Sequence, residues 1–146
     1  MLPVTNIYWY IICLTCLKLK DVMLTGIIYS SDEKAVDICF DCFSDVGIGL
    51  VKQSDFASFI YKIQQDLFDL IIFDSGDLFN DSLKYVKIIR KIKPKAPLIV
   101  FSDNTEKLDG GKIYEEGIFH LEQKPIQKNI LKEIIKASVN ALKINN

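Results

Sequence analysis

The sequence predicts a doubly wound α/β domain, a five-stranded parallel sheet with helices on both faces, running from about Met23 to the end of the chain. Two observations carry that expectation. Short apolar runs of strand length alternate with amphipathic stretches of helix length, and three of the runs are mostly apolar with β-branched residues, which suits strands buried on both faces. The composition, 49% hydrophobic and 25% charged over 146 residues, suits one globular domain with a substantial core.

The interior strands are Leu24 to Tyr29 (LTGIIY), Leu70 to Phe73 (LIIF) and Pro97 to Phe101 (PLIVF). Ile48 to Lys52 and Phe119 to Glu122 are weaker candidates whose polar residues suit positions nearer a sheet edge. Between the strands, Asp32 to Phe43, Asp55 to Gln65, Ser82 to Ile92 and Ile126 to Leu142 have the apolar spacing of helices with one face on the sheet. Thr105 to Glu116 should hold one more helix, short or mobile, because Gly110 and Gly111 each cost about 1 kcal/mol of helical propensity against alanine. Right-handed crossovers then align the strands, and ligands in such sheets sit beyond the strands' carboxyl ends.

Residues 1–22 stand apart from this domain, 23–146. Leu2 to Leu17 carry no charge and Ile7 to Leu14 are strongly apolar, yet the run is shorter than the roughly 20 residues that span a bilayer as a helix. It lacks a basic start and a small-residue cleavage site, since Lys18 and Lys20 follow the apolar run. Three readings are open: a membrane-surface anchor, an element packed on the domain, or sequence upstream of a true start at Met23 rather than Met1. The last is preferred, because Met23 opens a complete domain, and membrane contact is expected only if residues 2–17 are an anchor.

A formal net charge of -1 gives no general attraction for nucleic acid, and none is expected as a partner. The four cysteines do not form a disulfide framework of a small secreted protein, which points to a cytoplasmic setting. Cys13 and Cys16, like Cys39 and Cys42, have zinc-like pair spacing, but the first pair lies in the apolar run and the second in a predicted helix. Cys39 and Cys42 are expected in the core. His120, the single histidine, is expected to be structural or at the surface.

Three strand ends carry suggestive side chains: Asp74 after the third strand, Ser102 after the fourth and Lys124, before Pro125, after the fifth. A carboxylate beside a hydroxyl and an ammonium suits acceptance of a phosphoryl group, the carboxylate attacking while the others hold transferred oxygens. Each residue alone is commonplace in a turn.

Over Leu24 to about Leu142 the sequence resembles the receiver domains of two-component response regulators, which have a flavodoxin-like fold. The resemblance rests on Asp74, Ser102 and Lys124-Pro125 in order and spacing, on Phe68 to Asp74 as third strand and acceptor, and on Glu116-Gly117 before the fifth strand. It implies that Asp74 is the phosphoacceptor, with Ser102 and Lys124 beside it. It also implies a Mg²⁺ ion held by Asp74, the Gly76 backbone carbonyl and an acidic pair after the first strand. Gly47, matching the glycine that closes the first helix, places that pair at Ser30 and Ser31, so the metal site is degenerate, and retention and loss of Mg²⁺ are both open. Asp32 and Glu33 follow, where they should start the first helix rather than restore the site.

Leu121 replaces the aromatic residue of the fifth strand, with Tyr114 and Phe119 nearby, and Leu78 replaces a loop proline after Asp77. Loss of the acidic pair should tighten Asp74 against Lys124. The expected function is a stand-alone receiver-like response regulator that docks a histidine kinase or phosphotransfer protein through its fourth helix, fifth strand and fifth helix. Phosphorylation on Asp74 or a phosphorylation-independent interaction module are both consistent with the residues. A small flavodoxin-like hydrolase or transferase using Asp74 has no glycine-rich phosphate loop or nucleophile elbow to support it.

Overall fold

A computed structural model describes residues 23–76, 81–103 and 110–144. The expectations concerning residues 1–22, with Cys13 and Cys16, and concerning Asp77, Leu78 and the stretch 104–109 lie outside those residues. The elements run β1 (Thr25–Tyr29), α1 (Glu33–Val46), β2 (Gly49–Gln53), α2 (Phe56–Gln65), β3 (Leu70–Asp74), α3 (Ser82–Ile92), β4 (Leu98–Ser102), α4 (Gly110–Glu115), β5 (His120–Gln123) and α5 (Lys128–Ile144). The strands form one all-parallel sheet in the order β2-β1-β3-β4-β5. This is the flavodoxin-like doubly wound fold, and the two weaker strands occupy its two edges.

Alternation along the strands divides the core. Ile28, Leu70, Ile72, Ile99 and Phe101 pack under α1 and α5, while Ile27, Ile71, Phe73, Leu98 and Val100 pack under α2, α3 and α4. Every residue of β3 and β4 is buried, which explains their uninterrupted apolar sequence. Full burial of each such Leu, Ile, Val or Phe is worth about 1.5–3 kcal/mol. Cys39 and Cys42 are free thiols buried on the inner face of α1, as expected of small core residues.

Local chemistry sets the element ends. Asp32 caps α1, accepting from the Lys34 and Ala35 N–H groups, and Asp55 caps α2 through Ser58. Gly47 closes α1 at φ +78°, where the Gly47 N–H reaches the Ser44 carbonyl and the Ile48 N–H the Phe43 carbonyl, a Schellman closure. Gly26 in β1 lies against the Phe43 ring and the Leu70 carbonyl, leaving no room for a side chain. Within the described residues α4 begins at Gly110, so both glycines fall in its first turn. Arg90, buried at the end of α3, donates to the Pro94 and Ala96 carbonyls and ties down the turn into β4.

Candidate functional site

Parallel strands bring their carboxyl ends to one edge of the sheet, and the reversal of strand order between β1 and β3 opens a crevice there. Pairing of Tyr29 with Phe73 sets Ser30 level with Asp74. Pairing of Ser102 with Gln123 sets Ser102 one residue before the level of Lys124. The Lys124–Pro125 peptide is cis, and the Lys124 N–H donates to the Ser102 carbonyl at 2.8 Å. The result is a polar cleft of 430 Å³ lined by Tyr29, Ser31, Asp32, Asp74, Ser75, Gly76, Asp103 and Lys124.

Asp74 is 3% exposed and its carboxylate is fully engaged. Oδ1 accepts the Gly76 N–H at 2.9 Å, while Oδ2 accepts the Ser30 hydroxyl at 2.6 Å and lies 2.7 Å from Lys124 Nζ. The Ser30 hydroxyl in turn accepts the Asp32 N–H at 3.0 Å. Lys124 Nζ also reaches Asp32 at 3.1 Å and Asp103 at 3.2 Å, so one ammonium serves three carboxylates. Burial works against that charge, but the hydrogen bonds Lys124 donates to Asp74 and Asp32 and the field of Asp74 outweigh it, and the Lys124 pKa is raised. The hydrogen bond from Lys124 holds the Asp32 carboxyl below its usual range, against a smaller effect of burial. Tyr29, at the cleft wall, is pushed up by burial and then by Tyr85, Asp74 and Asp55.

Of the residues singled out from sequence, Asp74 and Lys124 meet directly, Gly76 contributes its N–H, and Ser31 lines the cleft. Ser30 is fully buried beneath it. Ser102 is also fully buried, at the end of β4, and presents its carbonyl to Lys124. Sequence reasoning missed Asp103 as a partner of Lys124, and it weighed Asp32 as a helix start against a substitute metal carboxylate, not as a partner of Lys124. Both follow strand ends at the ligand edge, and that position was the available signal. His120 lies on the far edge strand, 2.7 Å from Glu122, and Leu121 is half-buried with its N–H donated to the Tyr114 hydroxyl at 3.1 Å.

The donor set is a poor match for Mg²⁺, which needs near-octahedral oxygens at about 2.0–2.1 Å. A metal at Asp74 Oδ2 would have to displace the Ser30 hydroxyl and a positive charge. Ser30 supplies no anionic oxygen, since its proton is given to Asp74 and its lone pair takes the Asp32 N–H. Asp32, Asp74 and Asp103 do converge, but on Lys124 Nζ, which takes the place between them. The cation at the centre of this site is the chain's own ammonium.

A polar cleft at the switch point of a flavodoxin-like sheet, with an acid and an ammonium in contact, defines the class of the molecule. Comparison with solved structures narrows it to the receiver fold. A response regulator from Thermotoga maritima superposes with a TM-score of 0.73 at 16% identity, over 81% of this chain and 98% of that one. A CheY-like receiver domain protein from Methanospirillum hungatei gives 0.73 at 17%, over 85% and 99%. The receiver domain of a sensor histidine kinase from Pseudomonas aeruginosa, described with a magnesium ion coordinated in its active-site cleft, gives 0.67 at 14%, over 80% and 98%. At such identities the likeness is one of fold. No family model matches the sequence, and no curated protein does.

Proposed function

We propose that this chain is a receiver-like signalling module of a phosphorelay, working by docking a histidine kinase or phosphotransfer protein, and that its docking does not depend on phosphorylation. Its place is the cytoplasm, and its work is binding rather than turnover of a small molecule. The observation that carries this reading is the contact of Lys124 Nζ with Asp74 Oδ2 at 2.7 Å, with Ser30 on the same oxygen. Phosphoryl transfer to a carboxylate needs its oxygen free to attack in line and cations to offset the incoming charge. Here the attacking oxygen is held by two donors, and Ser30 and Ser31 bring no charge for a divalent ion. The Asp74 pocket therefore serves as a fixed polar centre that holds β1, β3 and β5 in register.

The test is the affinity of a purified phosphotransfer domain for the full chain, with and without Mg²⁺ and beryllofluoride, in the parent and in Asp74→Asn. Equal affinity with and without the phosphoryl mimic is expected. Binding seen only with Mg²⁺ and beryllofluoride would return Asp74 to the role of phosphoacceptor, with Ser102 and Lys124 assisting. No binding in either condition would remove the docking reading.

A further inference from the structure

The outward side of α3 carries a groove that the Asp74 site does not use, lined by Leu83, Lys84, Lys87, Ile88 and Lys91 and about 500 Å³ in volume. Val86 and Ile89 turn into the core, while Leu83 and Ile88 stay half-buried. At 3.6 residues per turn, positions 84, 87 and 91 form one row about 10 Å long between those two apolar side chains. The row keeps most of its charge free. Lys87 Nζ lies 3.9 Å from Glu116, and Glu115 beside it reaches no lysine of the row. Lys84 and Lys91 have no carboxylate within 4 Å among the described residues, and from Ser82 to Ser102 the sequence has no acidic residue. The groove is therefore apolar at its walls and cationic along its length.

The other face of the sheet presents the complement. Glu33, Asp37 and Asp41, spaced by four on α1, form an exposed row about 12 Å long, and none has a cation within 4 Å among the described residues. Lysines of the neighbouring α5 are engaged elsewhere: Lys128 and Lys132 hold Asp45, and Lys136 reaches Glu133. Phe40 stands beside the acidic row, one turn after Asp37, and is 41% exposed although the helix has a buried face to receive apolar side chains. An acidic row with an aromatic ring at its flank thus matches, in length and in charge, a basic row between two apolar walls.

We propose that the α3 groove takes the α1 face of a second copy of this chain, with Phe40 against Leu83, Ile88 and the lysine stems and the acidic row along the lysine row. Lysine stems cover apolar surface while their ammonium groups favour an aromatic face, so both parts of the groove suit such an occupant. Matching length and charge on the chain itself favour a second copy over a foreign acidic segment, and a formal net charge of -1 leaves little overall repulsion between copies. Because α1 and α3 pack on opposite faces of the sheet, the contact is heterologous: each copy offers its groove to one neighbour and its α1 face to another, and copies stack head to tail.

Sedimentation velocity of the full chain, run as a concentration series at low salt and again near about 1 M salt, reads the association. At low salt the sedimentation coefficient should climb with concentration past that of a dimer, and near 1 M salt it should fall back toward the monomer. Lys84→Glu with Lys91→Glu reverses one face, and Asp37→Lys with Asp41→Lys the other. Each pair exchanges two attractions for two repulsions, each about 2- to 3-fold, and so should weaken association about 30-fold with an unchanged circular dichroism spectrum. Joining all four substitutions in one chain keeps the net charge at -1 and should restore association, now between an acidic groove and a basic α1. Phe40→Ser should weaken it about 5-fold. A monomer at the highest soluble concentration in low salt would overturn the proposal. So would association indifferent to salt and to both reversals, or a folded fourfold variant that stays monomeric. None of the substituted residues lines the Asp74 cleft, so the binding measured there is read separately.

Discussion

Replacing Lys124 by alanine withdraws an ammonium from the midst of three carboxylates. Asp32 and Asp103 are 37% and 38% exposed, so each loses less than about 1 kcal/mol to water-screened attraction. Asp74 is 3% exposed, and removing the partner of a buried charge costs about 3–5 kcal/mol. The Ser30 hydroxyl and Gly76 N–H remain on the carboxylate, which places the expected loss near the lower figure, about 3 kcal/mol. For a domain of this size that corresponds to a fall in Tm of about 10 °C. Urea and thermal unfolding by circular dichroism measure it. If the loss comes from a stranded carboxylate, Asp74→Asn in the Lys124→Ala background should recover about 2 kcal/mol as a coupling between neighbours. Mg²⁺ should stabilise Lys124→Ala and leave the parent unchanged. A loss under about 1 kcal/mol, or a double variant no more stable than the single, would refute the reasoning.

Other expectations follow from single contacts. Ser30→Ala removes the hydroxyl that joins Asp74 to the Asp32 N–H and should cost about 1–3 kcal/mol in urea unfolding. Gly26→Ala drives a methyl into the Phe43 ring and to 3.3 Å from the Leu70 carbonyl, with an expected cost of about 1–3 kcal/mol by the same assay. Burial pushes the Cys39 thiol, and the Cys42 thiol with it, up from the ordinary value of 9.0, so peptide mapping after alkylation should find neither modified until the domain unfolds. The pH dependence has two limbs. The raised Lys124 pKa gives stability that is complete below 10.5 and lost as pH climbs through the folded value, so Lys124→Met should flatten the alkaline limb. The lowered Asp32 pKa gives stability that is complete above 3.8 and lost as pH falls through the folded value, so Asp32→Asn should flatten the acid limb.

The fold was largely legible because burial on both faces leaves a plain mark: β3 and β4 admit no polar residue before their ends. Element limits moved by one to three residues where capping decides them. Asp32 looked helical by charge, yet stands outside α1 as its cap, and α1 continues past Phe43 to Val46, with Gly47 closing it. Likewise α5 begins at Lys128 rather than Ile126. At the site, Asp74 and Lys124 could be paired in advance from strand order. What could not be read was the use of each lone pair: that Ser30 would donate to Asp74 while accepting from Asp32, and that Asp103 would share Lys124. Those are facts of side-chain direction, which spacing along a strand does not determine.

The central claim is that an internal ammonium fills the role of a divalent cation in this pocket. Backbone NMR of the full chain during a Mg²⁺ titration, with beryllofluoride added at the end, tests it directly, with Asp74→Asn as the reference. The account predicts no saturable shift at the amides of Asp74, Gly76, Ser102 or Lys124 in the parent. Saturable shifts at those amides in the parent, absent from Asp74→Asn, would contradict it.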